Sequence, residues 1–254
     1  MTTRWVGTSW KMTKTLAEAR DYAAGLAEAL AERPELTRDV QPFVIPPHTA
    51  LTTVRDTLAQ TPGGSAVVLG AQNAHWEDAG AWTGEISVPQ VADAGARLVE
   101  IGHSERREHF AETVQSTGLK VRAALRHGLL ALLCVGEPEE VRAAGGSTTF
   151  ILDQARGALD GLDDAALGEV LLAYEPIWAI GEHGRPASPE ELAGPFAALQ
   201  EEYGGRVRAV LYGGSVNTDN AAELLAVPGV DGLFVGRAAW EFQGLVRLLQ
   251  IAAA

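Results

Sequence analysis

Cysteine is almost absent: Cys134 is the single one among 254 residues. No intrachain disulfide can form, and its setting in the apolar run Leu129–Val135 makes it a core side chain. Long hydrophobic runs are absent too. None approaches the roughly 20 residues that span a bilayer, and Met1-Thr2-Thr3-Arg4-Trp5 lacks the apolar centre of a secretion signal. The expectation is a cytoplasmic protein with no membrane association. Cations are scarce, 20 Lys and Arg against 33 Asp and Glu, for a net charge of −13. That balance excludes broad attraction to nucleic acid or acidic lipid. An anionic ligand must then be met by a few placed cations and by backbone N–H groups.

What is present is alternation. Hydrophobic residues make up 46% and aromatics 6%, with Gly and Ala abundant, which suits helices packed on a sheet. Short β-rich runs are predicted at Arg4–Thr8, Pro42–Ile45, Ala66–Ala71, Leu98–Ile101, Leu129–Val135, Val170–Tyr174, Arg208–Tyr212 and Gly232–Val235. Each is followed by helical spacing, at Thr15–Arg33, Ala50–Ala59, Val88–Ala94, Glu108–Arg126, Glu139–Leu159, Pro189–Tyr203, Asn217–Leu225 and Ala238–Ile251. Eight β-then-α units without a composition break predict one α/β domain over residues 1–254, a (β/α)8 barrel, with an open doubly wound sheet as the alternative. The Gly145-Gly146-Ser147-Thr148 patch reads as a loop or helix break rather than a domain boundary.

Chemically capable residues fall where strands end. Ser9 and Lys11 follow the first strand, Gln72, Asn73 and His75 the third, and His103 and Glu105 the fourth. Glu137 follows the fifth, Glu175 the sixth, Gly213-Gly214-Ser215 the seventh and Gly236-Arg237 the eighth. In a barrel these positions share one face, the usual place for a site. Glu175, delivered by the strand before Pro176-Ile177-Trp178, is a candidate base, and His103 a candidate electrophile kept neutral by the helix that starts at Ser104. Such a pair can draw a proton from a carbon next to a carbonyl. Lys11 is placed to hold an anion, and the glycine turns after strands seven and eight to bind phosphate. Glu105 reads either as a charge reaching Lys11 or as a solvated carboxylate at a helix start. The loop Trp178–Pro189 reads as a lid or as an ordinary loop. His75, Glu77 and Asp78 lack the paired spacing of metal ligands, and neither metal nor cofactor is expected.

Trp10-Lys11-Met12, Gly70-Ala71-Gln72-Asn73, Gly80-Ala81-Trp82-Thr83-Gly84-Glu85-Ile86, Gly102-His103-Ser104-Glu105-Arg106-Arg107, the Glu175 strand and Tyr212-Gly213-Gly214-Ser215-Val216 together resemble the triosephosphate isomerase family. The resemblance covers essentially the whole chain. It implies a TIM barrel without cofactor in which Lys11 holds substrate, His103 is the electrophile, Glu175 is the base, and Gly181, Ser215 and Gly236 bind phosphate. A carboxylate base with a neutral histidine is this family's own known pairing. It also implies a homodimer whose loop Ala74–Glu85 enters the neighbour and carries Thr83 towards the other subunit's site.

Three departures touch the substrate end of that pattern. Ser9 stands where the family has Asn. The lid reads Gly181-Glu182-His183-Gly184-Arg185-Pro186-Ala187, one residue longer than usual, and Gly236-Arg237 replaces a Gly-Gly pair. Loss of the Asn amide makes room beside the substrate, and Arg237 adds a planar cation for phosphate or an extra hydroxyl. This combination resembles a branch of the family associated with erythritol catabolism. It implies isomerisation of L-erythrulose 1-phosphate to D-erythrulose 4-phosphate through a cis-enediol. The three-carbon reaction of glycolysis and gluconeogenesis is the alternative, and a phosphate-binding barrel without catalysis a remote one.

Overall fold

The computed structural model describes residues 3–181 and 184–254. Eight parallel strands close into a barrel in chain order, β1 (Arg4–Ser9), β2 (Val40–Ile45), β3 (Val68–Ala71), β4 (Leu98–Ile101), β5 (Leu130–Val135), β6 (Val170–Tyr174), β7 (Ala209–Tyr212) and β8 (Gly232–Val235), with β8 paired back onto β1. Around them run α1 (Leu16–Glu32), α2 (Leu51–Gln60), α3 (Val88–Asp93), α4 (Ser104–His109), α5 (Val114–Arg126) and α6 (Glu139–Ala143). The ring continues with α7 (Ser147–Leu159), α8 (Asp164–Leu167), α9 (Pro189–Tyr203), α10 (Ala221–Leu225) and α11 (Phe242–Ala253). No helix of the described residues is long and apolar enough to cross a membrane.

Strand alternation sorts the core into two layers. Trp5, Phe43, Ile45, Leu98, Leu132, Cys134, Leu171, Ala173 and Leu211 fill the barrel, while Val6, Val44, Val99, Leu133 and Tyr174 pack outwards against the helices. The inner layer is tight enough to need a glycine. A Cβ on Gly7 would stand 2.3 Å from Cγ of Phe43. The helices begin on side-chain caps: Thr15 and Glu18 form a reciprocal box at α1, and Ser188 and Glu191 do so at α9. Each cap satisfies N–H groups that the first helical turn leaves unpaired.

The elements differ from the periodicity reading in a few places. The helix predicted over Glu108–Arg126 is two helices, divided where Ala111 takes φ of +54° and Thr113 caps α5 through Ser116. The predicted Glu139–Leu159 is likewise divided, at Gly145 and Gly146, where the glycine patch marked a break. β3 begins at Val68 because Gly64–Ala66 forms a 3-10 turn. Asn217–Asn220 is a turn tied by Asn side chains, and only Ala221–Leu225 is helical there. In each case a local turn interaction outweighs the propensity of the neighbouring helix or strand.

Candidate active site

Ser9, Lys11, His103, Glu105, Glu175, Gly181, Ser215, Gly236 and Arg237 all line one cavity of about 540 Å³ at the carboxyl ends of the strands. Thr83 does not. It is exposed on the loop between β3 and α3, next to Gly84 and Glu85, and is not among the residues that line the cavity. Glu182 and His183 of the lid heptad lie outside the described residues.

Glu175 leaves β6 on the inner side of the barrel and is 2% exposed. Its backbone N–H donates to the carbonyl of Val135 at 2.7 Å, which extends the β5–β6 ladder and fixes the carboxylate's origin. Room for the side chain comes from Gly213, where a Cβ would sit 2.7 Å from Cγ of Glu175. Among the described residues the Oε2 of Glu175 has no hydrogen-bond partner. A buried carboxylate left with a free oxygen is held ready for a ligand rather than for packing.

His103 is itself the cap of α4, which starts at Ser104. Its Nδ1 accepts from the N–H of Glu105 at 3.1 Å, and its Nε2 lies 3.7 Å from Oε1 of Glu175. An accepting Nδ1 places the ring hydrogen of the neutral imidazole on Nε2, facing the cavity. Lys11 takes φ of +51°, an uncommon conformation for a residue with a Cβ. Gln72 donates to its carbonyl at 2.9 Å, and its Nζ meets Oε1 of Glu105 at 2.6 Å. Burial pushes the Glu105 carboxyl up, but the Lys11 hydrogen bond and the His103 and Lys11 charges together bring it below the usual range.

At the far end, Ser215 Oγ donates to the carbonyl of Ala179 at 2.8 Å, and Arg237 Nη2 donates to the carbonyl of Gly181 at 2.9 Å. Both tie strand-end turns to the start of the lid. Trp240 Nε1 donates to the carbonyl of Ser9 at 3.0 Å and closes the ring between β8 and β1. Other strand-end residues support rather than line this cavity. Oε1 of Glu137 accepts from Ser147, Tyr174 and Trp178, each at 3.0 Å, and Asn73 accepts from Lys120 at 2.7 Å. Asp78 is engaged by Arg126 and His127 on the loop before α3.

One site residue escaped the sequence reading. Glu100, in the middle of β4, is 4% exposed and lines a second lobe of about 550 Å³ that shares Ser9, Lys11, His103 and Glu105 with the first. Burial pushes its carboxyl up to about 7, against the His103 charge and the Ser9 side chain, which favour ionisation. The signal was there: a lone carboxylate in the apolar run Leu98–Ile101, in phase with the inward Leu98. Cys134 lies beside both carboxylates, and burial first, then the Glu175 and Glu100 charges, hold its thiol protonated.

A parallel α/β barrel with a buried carboxylate, an oriented imidazole and a paired lysine at its carboxyl-terminal mouth defines the class of protein. The family model for triosephosphate isomerase matches residues 4–252, and the chain belongs to the triosephosphate isomerase family. It is 64% identical over 98% of its length to a protein of Mycolicibacterium smegmatis named L-erythrulose-1-phosphate isomerase, covering 93% of that relative. A protein of the same name from Mesorhizobium japonicum is 50% identical, with 98% of this chain and 97% of that one covered. The crystal structure of triosephosphate isomerase from Bartonella henselae superposes with a TM-score of 0.84 at 30% identity, with 99% of each chain covered.

Proposed function

We propose that the chain is a cofactor-independent phosphosugar isomerase that converts L-erythrulose 1-phosphate to D-erythrulose 4-phosphate. The observation that carries the proton chemistry is the 3.7 Å approach of His103 Nε2 to a Glu175 carboxylate whose other oxygen has no partner among the described residues. The 64% and 50% identities to proteins named for this reaction favour the four-carbon substrate. Ser9 at the rim, where the sequence pattern of the family has the larger Asn, agrees with it.

In this reading Glu175 takes the proton from C3 of the ketose. The C–H electron pair becomes the C2=C3 bond, and charge moves onto the C2 oxygen, where the Nε2–H of His103 and the Lys11 ammonium stabilise it. The hydroxyl proton at C3 passes to the C2 oxygen, and Glu175 returns its proton to C2. The carbonyl has then moved by one carbon, with no net change in composition. Phosphate sits against the turns at Ser215, Gly236 and Arg237 and the start of the lid at Gly181, which supply N–H groups and one cation.

A homodimer fits the same surface. Met12 and Phe110, 99% and 65% exposed, rim the second lobe, and the loop that carries Thr83 presents Trp82 at 51% exposure. Exposed apolar side chains of this size are what a partner covers. A cytoplasmic setting and a place in tetritol breakdown accompany this reading. Incubation with L-erythrulose 1-phosphate, followed by NMR of the sugar carbons, tests it. The wild type is expected to form D-erythrulose 4-phosphate, and E175Q to lose about 10²- to 10⁴-fold in kcat. Rapid turnover of dihydroxyacetone phosphate with none of the tetrulose phosphate would leave the three-carbon reaction instead.

A further inference from the structure

Glu100 has no task in the proton transfer described above. It lies on the inner face of β4 beside Leu98, paired in register with Leu132 of β5, in a layer otherwise filled by apolar side chains such as Phe43 and Ile45. Among the described residues its Oε2 has no hydrogen-bond partner. A carboxyl group in such a layer with an unused oxygen is strongly disfavoured unless a further polar group completes it.

The cavity says where that group comes from. Glu100 lines the second lobe, which meets the Glu175 lobe at Ser9, Lys11 and His103. The two ends of the site therefore differ in character. Turn N–H groups and Arg237 suit a phosphate at one end, whereas a carboxyl group at the other repels a dianion and suits a hydroxyl.

We infer that Glu100, with Ser9 beside it, is a specificity-determining residue that binds the hydroxyl of the CH2OH group by which a four-carbon ketose phosphate exceeds a three-carbon one. The inference rests on the four-carbon reading of the site and gives that reading its polar contact. Ser9 supplies volume and Glu100 supplies the partner. A site that hydrogen-bonds a hydroxyl discriminates against the analogue lacking it far more strongly than one that merely has room. With its carboxyl near neutrality, Glu100 serves in either form, accepting from the hydroxyl when ionised and donating to it when protonated.

The test compares kcat/KM of wild type, E100Q and E100L on L-erythrulose 1-phosphate and on dihydroxyacetone phosphate. E100L is expected to lose about 10- to 100-fold on the tetrulose phosphate, in KM as well as kcat, with E100Q between it and wild type. Turnover of the triose phosphate is expected to stay within about 3-fold, because no hydrogen bond to that substrate is removed. A residue that only supported the fold would lower both substrates together, and a parallel fall or no fall in both variants overturns the assignment. Gln is isosteric with Glu, so E100Q keeps the comparison open if the Leu variant folds poorly. A wild type without tetrulose turnover overturns the four-carbon reading itself, whereas turnover with parallel losses overturns the role of Glu100 alone.

Discussion

At Glu100 the barrel interior raises a carboxyl group from 4.5 to about 7, chiefly by withholding water. The folded state then holds this proton more tightly than the unfolded chain does. Stability from this group is full below about pH 4.5 and is lost as pH rises through about 7. Thermal unfolding of wild type and E100Q between pH 4 and 8 reads it directly. The difference between the two proteins is expected to shift in favour of E100Q as pH rises through that window, while titrating groups remote from Glu100 cancel. Glu191 shows the opposite environment. Its bidentate contact with Arg185, at 2.5 and 2.7 Å, brings the carboxyl down to about 2, with burial opposing.

Among the elements, the loop between β6 and α9 is anchored at both ends. The guanidinium groups of Arg142 and Arg185 lie 4.9 and 4.5 Å from the ring centre of Trp178, whose Nε1 donates to Glu137. Arg142 and Arg185 both reach Glu191, which completes the capping box of Ser188 at the start of α9. The connection between α4 and α5 is less well matched to its residues. Ala111 is exposed and sits at φ of +54°, where a Cβ is disfavoured and glycine is at ease. A111G is expected to stabilise the protein by about 0.5–1 kcal/mol, a rise of roughly 2 °C in Tm by calorimetry.

For the whole molecule, the net charge of −13 keeps the surface repulsive, and Met12 and Phe110, both exposed, line the same lobe as an apolar exception. Sedimentation is expected to report twice the mass of one chain. Introducing carboxylates in M12E/F110E should release monomers by burying charge against an apolar partner face. Monomers of unchanged activity would show that the site needs nothing from a neighbour, and Thr83 would lose its assigned place.

Eight strands and their order were legible because inward and outward side chains alternate so regularly, and because turn residues punctuate every unit. The strand-end positions of Lys11, His103 and Glu175 followed from that order alone. Helix breaks at Ala111 and Asn217–Asn220 were not legible, since they depend on caps and turn bonds that differ little from helix in composition. What the sequence by itself determined was the barrel and the residues at its mouth. Only the tertiary structure decided that Glu100 belongs with them, because its meaning depends on which neighbours remove it from water and leave one of its oxygens unpaired.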